Sequence, residues 1–179
     1  MKVAIVGATG LVGRTMIEVL REFNFPVTEW IVCASERSVG REVEIGDIKT
    51  RVVSVEEAWA ARPDVALFSA GAEVSKQWAP KFAQIGALTV DNSSAWRMDP
   101  EVPLVVPEVN IETAKGKKLI ANPNCSTIQM VVALAPLQRR YGLERIVVST
   151  YQAVTGTGQK AVEQLMAERA SPVAPLSVY

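Results

Sequence analysis

Three glycines near the amino terminus, each three residues from the next, constrain the fold of this chain more than any other feature. The run Gly7-Ala-Thr-Gly10-Leu-Val-Gly13 follows an apolar, β-branched stretch and precedes apolar residues at helical spacing over 11–23. A strand that passes through a glycine loop into a helix typically opens a doubly wound α/β fold, in which the loop amides and the helix dipole can hold a pyrophosphate. The glycine pattern by itself leaves open a tight turn that binds nothing.

The rest of the chain alternates short apolar runs with helical patterns. Strands are predicted at 2–6, 30–33, 65–68, 88–90 and 118–121, and helices at 11–23, from Gly71 to about 85, and from near Cys125. Residues 43–53 alternate in polarity, as in a small antiparallel ribbon. This alternation predicts parallel strands joined by right-handed crossovers, with ligands beyond their carboxyl ends. We therefore predict a Rossmann-type, mostly parallel sheet with helices on both faces.

The pattern changes after Gly142. Residues 145–152 form a β-branched run that predicts a long strand, residues 156–169 predict a helix, and residues 170–179 have nothing to pack against. We therefore divide the chain into a nucleotide-binding domain, residues 1–142, and the beginning of an α+β domain, residues 143–179, which we expect to be cut short.

Composition favours small-molecule chemistry. Lys+Arg and Asp+Glu both number 19 among 179 residues, so no charge excess indicates nucleic acid or an anionic membrane as a partner. The apolar start of the chain is broken by Gly7 and is far shorter than the ~18 residues of a membrane span, and we expect a cytoplasmic protein. Two cysteines and no histidine are too few for a disulfide framework or a zinc site, so no metal is expected.

The loop after the second predicted strand reads Ser35-Glu-Arg37-Ser38-Val-Gly40. A cofactor with an unmodified ribose usually meets an acidic residue here, whereas a guanidinium beside hydroxyl groups suits a 2′-phosphate. Ser35, Arg37 and Ser38 therefore favour NADP over NAD. A solvated loop with an incidental arginine is the alternative, and Glu36 leaves room for dual specificity.

Cys125 lies in Asn122-Pro-Asn124-Cys125-Ser126-Thr127, at the predicted start of a helix. The helix dipole and free amides there favour a thiolate, and the same amides could hold an oxyanion. A dinucleotide site next to such a thiol suggests aldehyde oxidation through a thioester. The alternative is that the cysteine only packs, which is what we expect of Cys33 in its apolar strand.

Two further polar segments follow predicted strands. Asp91-Asn92-Ser93-Ser94-Ala95-Trp96-Arg97 combines hydrogen-bonding groups with one cation and could hold a carboxylate or a phosphate. A capping turn with Arg97 at the surface is an equal alternative. Gln152 could orient a polar substrate group, although most glutamines at strand ends are only solvated.

Taken in order, the motifs GATGLVG, SERSVG, SAG, DNSSAWRM, PEVN, NPNCSTIQ and YQAVTGTG resemble those of the aspartate-semialdehyde dehydrogenases over residues 1 to about 169. NPNCST and DNSSAWRM are the specific ones. The resemblance implies NADPH-dependent, reversible reduction of 4-phospho-L-aspartate to L-aspartate 4-semialdehyde and phosphate, on the route to lysine, threonine and methionine.

The resemblance also implies a role for each matching residue. Cys125 would form the thioester, Gln152 would orient the substrate, Arg97 would bind the phosphate and Asn124 would contact the substrate. The residues assigned to NADP are Gly7, Thr9, Gly10, Leu11, Val12 and Gly13 around the pyrophosphate, Ser35, Arg37 and Ser38 at the 2′-phosphate, and Ser69, Ala70, Gly71, Asn92 and Ser93 on the nicotinamide side. Gly158 lies in a further loop that the resemblance places by the cofactor.

The chain departs from the family pattern in what it lacks. The catalytic histidine, an arginine for the substrate carboxylate and a glutamate-lysine phosphate pair belong to a second half of such enzymes, which assemble as a homodimer or homotetramer through that half. We therefore expect an inactive fragment of a longer enzyme. Two alternatives remain: an N-acetyl-glutamyl-phosphate reductase-like enzyme, and a non-catalytic NADP-binding module.

Overall fold

The computed structural model describes residues 1–171. It divides the chain into two compact units, Met1–Glu144 and Arg145–Tyr179. The expectation for residues 170–179 falls largely on residues 172–179, which lie outside the described part of the chain.

The first unit is built on a five-stranded sheet in the order β2-β1-β5-β6-β7, and all neighbouring strands are parallel. Its strands are β1 (Lys2–Val6), β2 (Glu29–Cys33), β5 (Val65–Phe68), β6 (Leu88–Asp91) and β7 (Leu119–Ala121). An isolated parallel bridge adds Val53 beside Cys33, and another adds Leu104 beside Ala121. The predicted Rossmann-type sheet is confirmed.

The order in which strands are added to the sheet reverses at β1, which lies between β2 and β5. The chain first moves to β2 on one side of β1 and then returns to β5 on the other side. In an open parallel sheet such a switch point leaves a crevice at the carboxyl ends of the strands. Gly7 and Ser69 directly follow the two strands that border this crevice.

Apolar side chains cover both faces of the sheet, because successive residues of a strand point to opposite sides. One cluster contains Ala4 and Val6 of β1 together with Trp78, Phe82 and other residues. The other contains Val3 and Ile5 of β1 together with Ile17 and other residues. Helices therefore pack on both faces, as predicted.

The helices are α1 (Leu11–Glu22), α2 (Val55–Ala60), α3 (Ala72–Gln84), α4 (Pro107–Asn110), α5 (Cys125–Tyr141) and α6 (Gln159–Ala170). The sequence analysis missed the short helices α2 and α4. A local signal for α2 was present: the Ser54 hydroxyl accepts from the Glu57 amide, and the Glu57 carboxylate accepts from the Ser54 amide.

The ribbon predicted over 43–53 is confirmed as an antiparallel pair, β3 (Glu42–Ile45) with β4 (Ile48–Arg51). Residues 52 and 53 then return the chain to the edge of the sheet beside β2.

The strand predicted over 145–152 is wrong. Within the described residues this segment forms no strand, and Ile146, Val147 and Val148 are exposed. A β-branched run becomes a strand only where a neighbouring strand pairs with it, and the described part of the chain provides none. The helix predicted over 156–169 is present as α6, after a short 3-10 turn at Val154–Thr157. Within residues 1–171, no helix is both long and apolar enough to cross a bilayer.

Candidate active site

The glycine loop forms the tight strand-to-helix connection that the sequence predicts. Gly7 has φ +98°, a left-handed conformation suited to glycine. The Gly7 and Ala8 amides donate to the Cys33 carbonyl at 2.9 and 3.0 Å, which ties the loop to the neighbouring strand. The α1 helix begins at Leu11, so its first-turn amides, those of Leu11, Val12 and Gly13, point out of the helix end. Such a helix end suits a pyrophosphate.

Two glycines of this loop allow close approach of main chains. A Cβ atom on Gly7 would collide with the Ser69 carbonyl oxygen, and one on Gly13 would collide with the Gly7 carbonyl oxygen. Helix α1 therefore lies against the loop, and the loop lies against the Ser69-Ala70-Gly71 turn. Gly71, with φ +89°, is the N-cap residue of α3. The structure thus brings together the residues predicted for the pyrophosphate and those of this turn.

A cavity of about 290 Å³ opens beside Gly7. Its polar lining comes from Ser35, Glu36, Ser54, Glu56 and Gln77, and its apolar wall includes Cys33 and Trp78. The Cys33 side chain is buried, and burial raises the pKa of its thiol to about 12, with the Glu56 and Glu57 carboxylates adding to the rise. This buried environment agrees with the prediction that Cys33 only packs within its strand.

Arg37 lies in a 3-10 turn at Glu36–Ser38, just beyond the end of β2. Its side chain is exposed and forms no ion pair with any described residue. Ser35 is exposed and Ser38 is partly buried. Ser35 and Glu36 line the cavity, whereas Arg37 stands outside its lining.

The loop after β6 is organised by a buried carboxylate. Asp91 is fully buried, and its oxygens accept from the Ser93 amide at 3.1 Å and from the Ser93 hydroxyl at 2.7 Å. The Trp96 indole donates to Ser75 on α3 at 3.1 Å. These contacts hold Asn92 and Ser93 at the carboxyl edge of the sheet.

Arg97 is held in place by the main chain of two loops rather than lying free at the surface. It is partly buried, and its guanidinium donates from Nε to the Asn122 carbonyl and from Nη2 to the Asn92 carbonyl, both at 3.0 Å. A guanidinium has five N–H donors, so others remain for an anion. Among the described residues no carboxylate pairs with it. A fixed cation therefore stands between the loops that follow β6 and β7.

Cys125 is the first residue of α5 and is exposed. The preceding Pro123 is buried, which anchors the loop from β7 into the helix. Asn124 caps this helix, because its side-chain oxygen accepts from the Ser126 and Thr127 amides at 3.0 and 3.4 Å. The cap was not predicted, and it occupies two of the amides that we expected to be free for an oxyanion.

Gln152 and Gly158 belong to the second unit. Gln152 is exposed and precedes the 3-10 turn, and Gly158 has φ +107° at the start of α6. Their predicted roles remain predictions.

Sequence reasoning assigned no role to Asn122, although its carbonyl holds Arg97 and its side chain contacts Asn92. No local signal could have identified it, because its partners lie 25 and 30 residues away. Within residues 1–171, no group of three His, Cys, Asp or Glu side chains is placed to hold a metal ion.

Comparison with known families agrees with this geometry. The family described as semialdehyde dehydrogenase, NAD binding domain, matches residues 2–117, and the family described as semialdehyde dehydrogenase, dimerisation domain, matches residues 134–176.

Two similar proteins of high sequence identity are both aspartate-semialdehyde dehydrogenases. An aspartate-semialdehyde dehydrogenase of Aquifex aeolicus is 58% identical over 168 residues, which are 92% of this chain and 49% of that protein. Aspartate-semialdehyde dehydrogenase 2 of Vibrio cholerae is 50% identical over 94% of this chain and 51% of its own length. The chain therefore spans about half the length of the curated relatives it matches.

Solved structures show the same likeness. Aspartate semialdehyde dehydrogenase II of Vibrio cholerae, complexed with ASA, has a TM-score of 0.92 and 46% identity over 99% of this chain and 55% of its own. The Candida albicans enzyme, solved with NADP, has a TM-score of 0.65 and 28% identity over 79% of this chain and 48% of its own. With a family match over more than half of its residues and a dinucleotide-binding fold, the chain belongs to the semialdehyde dehydrogenases, a family of oxidoreductases.

Proposed function

We propose that the native protein carrying this sequence is an aspartate-semialdehyde dehydrogenase. It reversibly reduces 4-phospho-L-aspartate to L-aspartate 4-semialdehyde and phosphate, on the route to lysine, threonine and methionine. The proposal rests on one observation above all: a glycine loop, the fixed Arg97 cation and the exposed Cys125 thiol follow the carboxyl ends of strands of one parallel sheet.

Cys125 is the proposed nucleophile. In the reductive direction its thiolate attacks the acyl carbon, the bond to the phosphate oxygen breaks, and phosphate leaves with the bonding electron pair. Hydride addition to the thioester carbon gives a tetrahedral alkoxide. Its collapse breaks the carbon–sulfur bond, which releases the aldehyde and returns the thiolate of Cys125. Cys125 stands at the start of α5, where the helix dipole places positive charge near the reacting atoms. In this mechanism Asn124 aids Cys125 by capping the helix as well as by contacting the substrate, and Gln152 orients the substrate.

Arg97 is the proposed phosphate-binding residue. Its two hydrogen bonds to main-chain carbonyls fix the guanidinium without neutralising its charge, and its remaining N–H groups suit phosphate oxygens. A preset cation needs little reorganisation when the anion arrives or departs.

The proposed cofactor is NADP, whose nicotinamide supplies or accepts the hydride when bound. Glycine at positions 7 and 13 lets the loop pack closely against the Ser69 carbonyl and the start of α1. The first-turn amides of α1, which no side chain caps, suit the pyrophosphate of a dinucleotide. Gly10, Thr9 and the first-turn amides would hold the pyrophosphate. Ser69, Ala70, Gly71, Asn92 and Ser93 would lie toward the nicotinamide, and Gly158 is a further proposed cofactor-binding residue. Arg37, with Ser35 and Ser38, would bind the 2′-phosphate, since the Arg37 guanidinium forms no ion pair within the described residues.

A homodimer or homotetramer is the proposed assembly, in line with the match of residues 134–176 to a dimerisation domain. A cytoplasmic location stays a prediction.

Activity of the native protein tests the function. We expect NADPH to form when NADP, phosphate and aspartate semialdehyde are supplied, and Cys125→Ala to reduce kcat by more than about 10³-fold because the nucleophile is lost. Lys49→Ala, on the exposed ribbon, is the matched control and should retain activity. Before turnover, iodoacetamide should modify Cys125 well before the buried Cys33.

Two results would contradict the proposal. Turnover by Cys125→Ala at the wild-type rate would exclude the thioester mechanism. Dinucleotide binding without any turnover by the native protein would favour the non-catalytic module.

A further inference from the structure

Three residues form a closed set of hydrogen bonds across the loops that follow β6 and β7. Arg97 donates to the main-chain carbonyls of Asn92 and Asn122, both at 3.0 Å. The side chains of these two asparagines are themselves joined, with Asn122 Nδ2 donating to Asn92 Oδ1 at 2.7 Å. The two carbonyls that hold the guanidinium are therefore linked to each other independently of it.

The main chain of each asparagine is tied to the sheet. The Asn92 amide donates to the Phe68 carbonyl at 2.9 Å, and the Asn122 amide donates to the Asp91 carbonyl at 2.8 Å. These bonds fix where the two loops leave the sheet. The side-chain bond between Asn92 and Asn122 acts further out, at the level of the Arg97 guanidinium, and is part-buried.

Asn122 also lies three residues before Cys125. Pro123 between them is buried, and a residue before proline is restricted to extended conformations. A change in the position of Asn122 therefore displaces both the carbonyl that holds Arg97 and the segment that leads to the thiol.

We propose that Asn122 is a positioning residue that aims Arg97 at a phosphate bound beside Cys125. It acts through its side-chain bond to Asn92, which sets the spacing of the two carbonyls that hold the guanidinium. The proposal deepens the function proposed above and rests on it.

The test uses the native protein with Asn122→Ala and Asn122→Asp. Alanine removes the side-chain bond but keeps the main-chain carbonyl. Aspartate keeps the shape but replaces the amide donor with an oxygen that faces the Asn92 oxygen. We expect the KM for phosphate to rise about tenfold in Asn122→Ala, the size of one lost hydrogen bond, and further in Asn122→Asp. The KM for NADP should stay within about twofold and kcat within about threefold.

A double variant separates positioning from a general structural role. If Asn122 acts through Arg97, Asn122→Ala should raise the KM for phosphate no further in an Arg97→Ala background, because coupled residues are not additive. Asn110→Ala is the matched control, since Asn110 also links two loop segments by its side chain, to Leu104 and Val106. It should leave the KM for phosphate within about twofold. The proposal would be overturned if Asn110→Ala raised the KM for phosphate as much as Asn122→Ala does, or if the effects of Asn122→Ala and Arg97→Ala on this KM were fully additive.

A binding measurement distinguishes failure of this inference from failure of the function. Inorganic phosphate should protect Cys125 from iodoacetamide, and the protecting concentration should rise about tenfold in Asn122→Ala. This readout needs no turnover, so it decides the role of Asn122 even in a protein that proves inactive. The inference would be overturned if phosphate protected Cys125 at the same concentration in the wild-type protein and in Asn122→Ala, or if it gave the wild-type protein no protection. Normal turnover with an unchanged KM for phosphate in Asn122→Ala would also overturn it but would leave the proposed function standing.

Discussion

The side chains of the two cysteines lie in opposite environments, one buried and one exposed. Cys33 is buried among apolar side chains of the sheet, and burial together with Glu56 and Glu57 raises the pKa of its thiol to about 12. Cys125 is exposed at the start of α5. Since the thiolate is the reactive form, the raised pKa makes Cys33 a poor nucleophile near neutral pH, and Cys125 is the proposed nucleophile.

The proposed preference for NADP rests on side chains in the loop after β2. We expect Arg37→Ala to raise the Kd for NADP about 10- to 100-fold, the range of a lost hydrogen bond to a charged group, and to change the Kd for NAD less than twofold. Glu36→Gln should tighten NADP binding, because Glu36 lines the cavity and its carboxylate repels a phosphate. Titration by fluorescence measures both constants.

Arg41→Ala, which removes another exposed cation close to this loop, is the control for Arg37→Ala and Glu36→Gln. Equal affinity of the unmutated protein for the two dinucleotides would show that Arg37 only faces solvent.

At the scale of elements, the carboxyl edge of the sheet collects segments that are far apart in the chain. The glycine loop, the Ser69-Ala70-Gly71 turn and the loops that begin at Asn92 and Asn122 each follow one parallel strand. Parallel strands all end at the same edge, so the fold gathers these loops without any contact being specified locally. The contact of Gly7 with the Ser69 carbonyl shows how closely two of them approach.

Two glycines with nearly equal φ angles test that close approach. Gly7 has φ +98° and Gly86 has φ +95°, but a Cβ on Gly86 would meet nothing within 4 Å. We expect Gly86→Ala to lower the free energy of unfolding by about 1–2 kcal/mol through backbone strain alone. Gly7→Ala should cost about 1–3 kcal/mol more, since its Cβ meets main chain, and should weaken dinucleotide binding. Urea unfolding measures both; equal losses would refute the packing argument.

At the scale of the whole molecule, the second unit exposes a row of apolar side chains. Val147 is 77% exposed and Tyr151 is 100% exposed, with Ile146 and Val148 close to half exposed. A contiguous exposed apolar segment commonly marks an interface. The match of residues 134–176 to a dimerisation domain supports that interpretation.

We expect the native protein to sediment as a homodimer or homotetramer. Val147→Asp should weaken the assembly at least about tenfold, because a charge would have to be buried at the interface. Val39→Asp, a similar change at a 38% exposed residue of the first unit, should leave the mass unchanged. A monomeric wild-type protein at micromolar concentration would contradict the proposal.

Much of the fold was predictable because its signals are local. The apolar run before Gly7, the helical spacing after it and the alternation of strands with helices identify the parallel sheet. The position of Cys125 at the start of a helix was predictable from the same pattern, because strand and helix periodicities are encoded within a few residues. The same reasoning failed over 145–152, where a strong strand propensity has no partner strand in the described chain.

Only the tertiary structure determined how the site is arranged. The sequence by itself predicted a dinucleotide loop and located a cation in DNSSAWR and a thiol in NPNCST. The hydrogen bonds from Arg97 to two carbonyls, the bond between Asn92 and Asn122, and the cap by Asn124 became visible only in three dimensions. The physical reason is that a side chain's partner depends on which loops the sheet brings together, and partners 25 to 30 residues apart leave no periodic trace in the sequence.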